Sequence, residues 1–328
     1  MKYARIYGPR DLRVEDVPIP SIGPDDVLIR VRVSGICGSD IHRYLGDRFG
    51  LRMAPYPLNS GHEYCGDVTD VGKSVKRFRV GDRVTLGVSW ARDGNGAFAE
   101  YIRMPRADES ARPLAVMKVP ETVSYEEAAQ IEPLTVGVNA INGAKPKAGD
   151  KVLIFGAGPI GLSVLLCCQG EGIKDAVVSE VSPVRLKVAK ELGATVIDPT
   201  KESLEDRVKV LTKGEGVDVA FECAGATVTT QQALAFTRRE GKIVMVAHYS
   251  KSTPIDPEEI VSRNLIVYGL MGSTSYCKDP GKEALRLILE GKAKLKPLVS
   301  HEFPIEKSKE AFETAANPNI SVKVLIRP

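Results

Sequence analysis

The chain contains no apolar run approaching the roughly 18 residues that a membrane span requires. Its most apolar stretch, "GLSVLLCC", is about the length of a buried helix segment, so a membrane protein is not expected. Cysteine is scarce. Six occur in 328 residues, at positions 37, 65, 167, 168, 223 and 277, without a disulfide-like framework. That usage fits a reducing compartment and points to the cytoplasm. Blocks of like charge are absent: 45 basic and 42 acidic residues are scattered along the chain for a net charge of +3. With no basic stripe to follow a phosphate backbone, nucleic acid is not an expected partner. The opening, "MKYARIYGPRDLRVEDVPIP", lacks the apolar stretch of a signal peptide, and the mature chain is expected to start here. Repeats and low-complexity segments are missing too. What is present, 43% hydrophobic and 27% charged residues over a length that exceeds a single core, is the profile of a folded two-domain protein.

The pattern of elements changes twice along the chain. Residues 1–134 carry short alternating segments such as "DVLIRVRVSGI", "YCGDVTDVG" and "GDRVTLGV", punctuated by Gly, Pro and Asp, which predict an all-β domain. Residues 135–272 switch to apolar strands ("KVLIFGAG", "DAVVSEV", "GVDVAFECAG", "KIVMVAH", "LIVYGL") alternating with helical stretches, the pattern of an α/β unit with a doubly wound parallel sheet. Residues 273–328 end in the strand-like "LVSHEFPI" and "SVKVLIRP", so the α/β unit is expected to be inserted between two parts of the β-rich domain.

"VLIFGAGPIGLSVLL" places Gly156, Gly158 and Gly161 in G-x-G-x-x-G spacing between a strand and a helix, with Pro159 and Ile160 opening the helix. The first glycine permits the tight turn, the second lets backbone approach a pyrophosphate, and the third packs helix on strand. Helix N-terminal N–H groups then face the phosphates. Nineteen residues after Gly161, at the end of the next strand, stands Glu180, where a carboxylate would bind ribose hydroxyls and repel a 2'-phosphate. NAD is therefore expected over NADP, with Arg185 nearby pulling the other way.

Metal chemistry would have to come from few residues. The histidines are 42, 62, 248 and 301; Cys37 lies in the Gly-rich "SGICGSDIH", and the pair His62-Glu63 follows in "SGHEYCGDVTD". A histidine in a strand is ordinarily a satisfied polar group and a lone cysteine a small core hydrophobe, so residue type alone does not decide between ligand and packing.

Taken together, "GICGSDIH", "GHEYCGDVTDVG", "VGDRV", "GAFAEY", "IEPLTVGVNAI", "VLIFGAGPIG" and "FECAG" resemble the zinc-dependent medium-chain dehydrogenase/reductase family, in family order and at family-like spacing from first strand to last. "IEPLTVG" is similar to the sorbitol or polyol dehydrogenase branch, with threonine dehydrogenases nearby. The resemblance implies a GroES-like catalytic domain, a Rossmann domain, and reversible oxidation of a secondary alcohol to a ketone with hydride transfer to NAD. It implies zinc held by Cys37 and His62, with Glu63 as ligand or adjacent carboxylate, and Glu132 binding zinc directly or through a water. Ser39 and His42 match the proton-relay and substrate-pocket positions, and Cys65 matches none, leaving it to the core. Homodimers or homotetramers, paired through edge strands of the nucleotide domain, are implied as well.

The chain departs from the family pattern in two places. "TLGVSWARDGNGAFAEY" has no cysteine where many members hold a second, structural zinc, so one zinc per chain is expected. An Arg-Tyr pair of sorbitol dehydrogenases falls near "MGSTSYCKDP", where Tyr276 keeps the tyrosine as a candidate substrate contact but Ser275 replaces the arginine and its planar multi-donor group. Sorbitol itself is thereby put in doubt in favour of another polyol, a cyclitol, a sugar acid or an amino alcohol. His248 reads as an ordinary strand-end histidine in preference to a substrate contact. Two competing readings are a threonine-type dehydrogenase and a non-catalytic nucleotide-binding protein. The joint presence of Cys37, His62, Glu63 and Glu132 speaks against the second.

Overall fold

A computed structural model describes residues 1–52, 56–86, 96–108, 116–272 and 276–328. The strand Val27–Gly35 alternates as its sequence requires, with Val27, Ile29, Val31 and Val33 buried and Arg30 and Arg32 outward. It is central to a sheet ordered Val299–Pro304, Lys323–Arg327, Val27–Gly35, Glu63–Val71, Arg83–Leu86, Val116–Lys118, with Tyr101–Met104 also pairing on Val27–Gly35. Lys323–Arg327 pairs antiparallel with Val27–Gly35, placing Leu325 opposite Gly35. The last strand of the chain thus sits in the same sheet as Val27–Gly35.

The second sheet is parallel throughout and ordered Thr195–Ile197, Ala176–Ser179, Val152–Phe155, Val217–Glu222, Thr237–Met245, Ile266–Gly269. Numbered within this sheet the strands run 3-2-1-4-5-6, the dinucleotide-binding order, and the direction of winding reverses between Val152–Phe155 and Val217–Glu222. "VLIF" is buried at every position, as a strand covered by helices on both faces must be. Ligands of such sheets bind beyond the carboxyl ends of the strands at that reversal.

The helix Ile131–Ala144 joins the two units and is buried nearly all round. Its closest neighbour is the helix Pro159–Gly170, and the approach depends on Gly137, where a Cβ would stand 2.6 Å from the Ser163 carbonyl oxygen. The division expected between residues 134 and 135 falls inside this helix. Pro280–Leu289 also packs against it, so the chain rejoins the first sheet at Val299–Pro304, later than residue 273. Among the described residues, no helix is long and apolar enough to cross a membrane.

Candidate active site

Strand Val27–Gly35 leads directly into Cys37, the residue preceding helix Gly38–Leu45, and Gly35 is paired with Glu63 at the start of the neighbouring strand. A Cβ on Gly35 would lie 2.4 Å from Glu63 Oε2, so glycine is what lets the carboxylate sit there. His62 precedes Glu63. The result is that a thiol sulfur, an imidazole nitrogen and a carboxylate oxygen, from Cys37, His62 and Glu63, lie within 4.8 Å of one another. No other such trio is found among the described residues. Soft, borderline and hard donors in one partly buried cluster are the donor set of a zinc site.

The electrostatics agree. Burial alone would lower the His62 pKa, but Asp40, Cys37 and Glu132 outweigh it and raise it to about 10. The negative groups around the imidazole favour a positive charge there, which a divalent cation would supply while taking the ring in its neutral form. Glu132, in the first turn of Ile131–Ala144, is buried, and that burial pushes its pKa up to about 7.

Two residues around this trio were not foreseen. Asp40 is fully buried; its Oδ2 accepts the Cys37 N–H at 3.1 Å, and its Oδ1 accepts from Arg43 at 2.9 Å and lies 3.8 Å from His62 Nδ1. It braces both expected ligands. Lys323 is also fully buried and donates Nζ to Glu63 Oε2 and, at 3.1 Å, to the Ile36 carbonyl oxygen. Strand Lys323–Arg327 is buried on both faces, so alternation in the sequence gives no sign that Lys323 points at the site. Cys65 belongs to the core beside Val33 and takes no part in the trio. Cys65→Ala is expected to leave zinc content unchanged and activity within about twofold, at a stability cost of about 1 kcal/mol. Metal analysis and a denaturant titration check it; loss of zinc would make Cys65 a ligand.

Facing this cluster across a cleft of about 510 Å³ is the glycine loop. Gly156 turns at φ +92°, Gly158 caps helix Pro159–Gly170, and Gly161 lies under the turn with no room for a side chain. Gly158, Pro159, Ile160 and Arg185 line the cleft together with Cys37, Ser39, His42, His62, Glu63 and Glu132. Arg185 is steadied by donating Nε to the Ser321 carbonyl oxygen at 3.1 Å. Glu180 stands at the end of its strand but is turned inward. Its Oε2 accepts from Ala157 N–H at 2.7 Å, and its Oε1 accepts from Val181 and Ser182 N–H at 2.7 and 2.8 Å. It therefore ties the glycine loop to the next turn. An ionised carboxylate has about four acceptor positions, three of them taken here, and Glu180 is buried and not among the described residues lining the cleft.

His248 stands just past the end of strand Thr237–Met245. It lines the cleft, and its ring stacks on Phe49 at 4.0 Å, joining the two walls. Burial, then His42 and Arg43, lower its pKa to about 4, so it is neutral at pH 7. Arg48, next to Phe49, donates to Ser252 Oγ across the same gap. Tyr276 is half exposed, its ring edge-on to Tyr268 at 5.6 Å and its N–H donated to Asn139 Oδ1 at 3.0 Å; it is not among the described residues lining the cleft. Ser275 and positions 87–95 of the cysteine-free stretch lie outside the described residues.

With a trio of zinc-type donors on one wall and a dinucleotide turn on the other, the geometry can be compared with known proteins. Residues 23–121 match the alcohol dehydrogenase GroES-like domain, and residues 159–290 match the zinc-binding dehydrogenase model. The chain is 34% identical to sorbitol dehydrogenase of Bacillus subtilis over 355 residues, covering 100% of this chain and 97% of that one. The chain belongs to the zinc-dependent medium-chain dehydrogenase/reductase family. This dehydrogenase is also 34% identical to human sorbitol dehydrogenase, over 98% of its own length and 94% of the relative's. Its structure superposes on that of 2R,3R-butanediol dehydrogenase from Bacillus subtilis with a TM-score of 0.86 and 34% identity, covering 100% of this dehydrogenase and 99% of the other chain.

Proposed function

We propose that this dehydrogenase reversibly oxidises a secondary alcohol of the polyol, cyclitol or sugar-derived class to the ketone, with NAD as hydride acceptor and one zinc per chain. The observation that carries this reading is the convergence of Cys37, His62 and Glu63 at the wall of a cleft whose opposite wall is the Gly156–Gly161 turn. Cys37, His62 and Glu63 would hold zinc, with Glu132 as fourth ligand or as the partner of a water. Bound there, zinc supplies Lewis acidity that makes a substrate hydroxyl easier to deprotonate, and NAD supplies the hydride acceptor.

The rest is done by the chain. Lys323 holds Glu63 through a hydrogen bond, and Asp40 places negative charge 3.8 Å from His62 Nδ1. Ser39 and His42 lead from the donor trio along the cleft and carry the hydroxyl proton outward. Gly158 and the start of Pro159–Gly170 receive the pyrophosphate, and Arg185 stands beside them. Glu180 would meet a 2'-phosphate with negative charge, which supports NAD over NADP. The contacts of Phe49 and Arg48 with His248 and Ser252 close one side of the cleft and limit water. A homodimer or homotetramer is expected, paired through edge strands of the coenzyme-binding sheet.

The test is NADH formation against a panel of polyols, cyclitols, sugar acids and threonine, with zinc quantified on the same sample. Turnover of one alcohol class with one zinc per chain is expected. Two zincs per chain would overturn the single-site reading, threonine as the preferred substrate would overturn the polyol class, and neither zinc nor turnover would overturn the dehydrogenase.

A further inference from the structure

Among the described residues lining the cleft, three are lysine or arginine: Lys323, Arg185 and Arg43. Lys323 is spent on Glu63 and on the Ile36 carbonyl oxygen. Arg185 stands at the glycine loop, where a Cβ on Gly158 would lie 3.5 Å from its Nη1, so it serves the coenzyme end. Arg43 is at the other end. Asp40 Oδ1 accepts from Arg43 Nη1 at 2.9 Å and lies 3.8 Å from His62 Nδ1, so a single carboxylate separates the guanidinium from the zinc-type donors.

That bond to Asp40 uses one nitrogen. A guanidinium carries N–H donors on every nitrogen in a rigid planar fork, and Nε and Nη2 of Arg43 have no partner among the described residues. The side chain is only 13% exposed, yet neither nitrogen is among the buried ones left unpaired, so the unused edge is the part that reaches the open cleft. Asp47, on the turn that follows, is committed to the N–H groups of Phe49 and Gly50 and to His42, and makes no bond to this edge. An Nε–Nη2 edge takes both oxygens of a carboxylate in parallel.

We infer that the preferred substrate is a sugar acid, a polyhydroxylated chain ending in a carboxylate, which Arg43 grips through Nε and Nη2 while a secondary hydroxyl lies at the donor trio. This rests on the dehydrogenase reading above and narrows its substrate class. One free guanidinium edge matches one negative charge. A phosphate ester, with up to about two charges, would meet Asp40, Glu63 and Glu132 with no second cation free at this end. An amino alcohol would set an ammonium against the guanidinium. The acid group takes no part in the redox change: the carbinol C–H bond breaks with its electron pair going to oxidised nicotinamide, the hydroxyl proton leaves to solvent, and a keto acid remains.

The test compares substrates that differ only at one end, an aldonate and the alditol with a hydroxymethyl group in place of its carboxylate. In the wild type kcat/KM for the aldonate is expected to exceed that for the alditol by about 10- to 100-fold, the size of hydrogen bonds to a charged group. Added salt should narrow the margin. In Arg43→Gln the ratio should fall toward parity, chiefly through a higher KM for the aldonate. Arg43→Lys, which keeps the charge but not the fork, should fall between. Lost support for Asp40 would slow both substrates alike and leave the ratio where it was, so the ratio separates grip from bracing.

Calorimetric titration of the aldonate into the zinc enzyme with NADH bound reads the grip without turnover, and should weaken by a similar factor in Arg43→Gln. The wild-type ratio and its salt dependence decide the matter even where Arg43→Gln fails to fold. A wild-type preference for the alditol, or a ratio unmoved by Arg43→Gln, would overturn the assignment and leave the dehydrogenase standing. Preference for a sugar phosphate over the aldonate would overturn the carboxylate. Turnover of neither member of any pair would overturn the dehydrogenase reading, and this inference with it.

Discussion

Cys37→Ser is expected to strip the zinc and lower kcat/KM by about a thousandfold or more, since Lewis acidity is worth several kcal/mol and each 1.4 kcal/mol is about tenfold. The reason lies in the donor set. Cys37 supplies the only sulfur in the trio, and Glu63 is already engaged by Lys323, so its loss leaves His62 as the one donor not shared with another cation. A serine hydroxyl is a poor replacement for a thiolate, yet serine is a favoured N-cap, so helix Gly38–Leu45 should survive. Zinc per chain by elemental analysis and thermal unfolding of the same samples check the two halves of the expectation. Full zinc and wild-type rates in Cys37→Ser would move the metal away from this cluster.

Gly161→Ala is expected to weaken NADH binding by at least about tenfold and to destabilise the coenzyme-binding unit by about 1–3 kcal/mol, the range for overpacking at a site that cannot relax. A Cβ there would sit 2.0 Å from the Gly156 carbonyl oxygen and 3.0 Å from its carbon. Both are backbone atoms of the phosphate-binding turn, so no rotamer change relieves the contact and the turn itself must open. Zinc content should not change, because the donor trio belongs to the opposite wall. Gly269→Ala, in the same sheet with nothing within 4 Å of its Cβ position, is the control. Fluorescence titration with NADH separates the two; equal affinities would mean that Gly161 is spacing and not a packing requirement.

The parts of this molecule that could be read from sequence are those whose meaning is local. Gly156, Gly158 and Gly161 declare a strand-to-helix turn within a few residues, and apolar strands alternating with helices imply a parallel sheet whatever lies elsewhere. The β-rich part was legible for the same reason, through the alternation of Val27, Ile29, Val31 and Val33. Cys37, His62, Glu63 and Glu132 were named through resemblance, since residue type alone left packing open. Lys323 and Asp40 stayed hidden because each acquires its meaning from a partner: Lys323 from a strand pairing that spans nearly the whole chain, and Asp40 from its place beside His62. His248 went the other way. Nothing in "KIVMVAH" shows that a phenyl ring from the opposite wall will lie on it. Glu180 occupied the expected position, but its triple backbone bonding depends on the loop closing over it.

The pairing of Lys323–Arg327 with Val27–Gly35 also sets an order of events during synthesis. The coenzyme-binding sheet uses strands from Val152 to Gly269, all of which leave the ribosome before residue 323, so that unit can fold while the metal-binding half still lacks a central strand. Contacts between segments so far apart in sequence close late and slowly. Until they close, Glu63 has no Lys323 beside it. A nascent chain therefore acquires the means to hold a nucleotide before it acquires a finished metal pocket, and any chain broken off short of residue 323 would stop between the two.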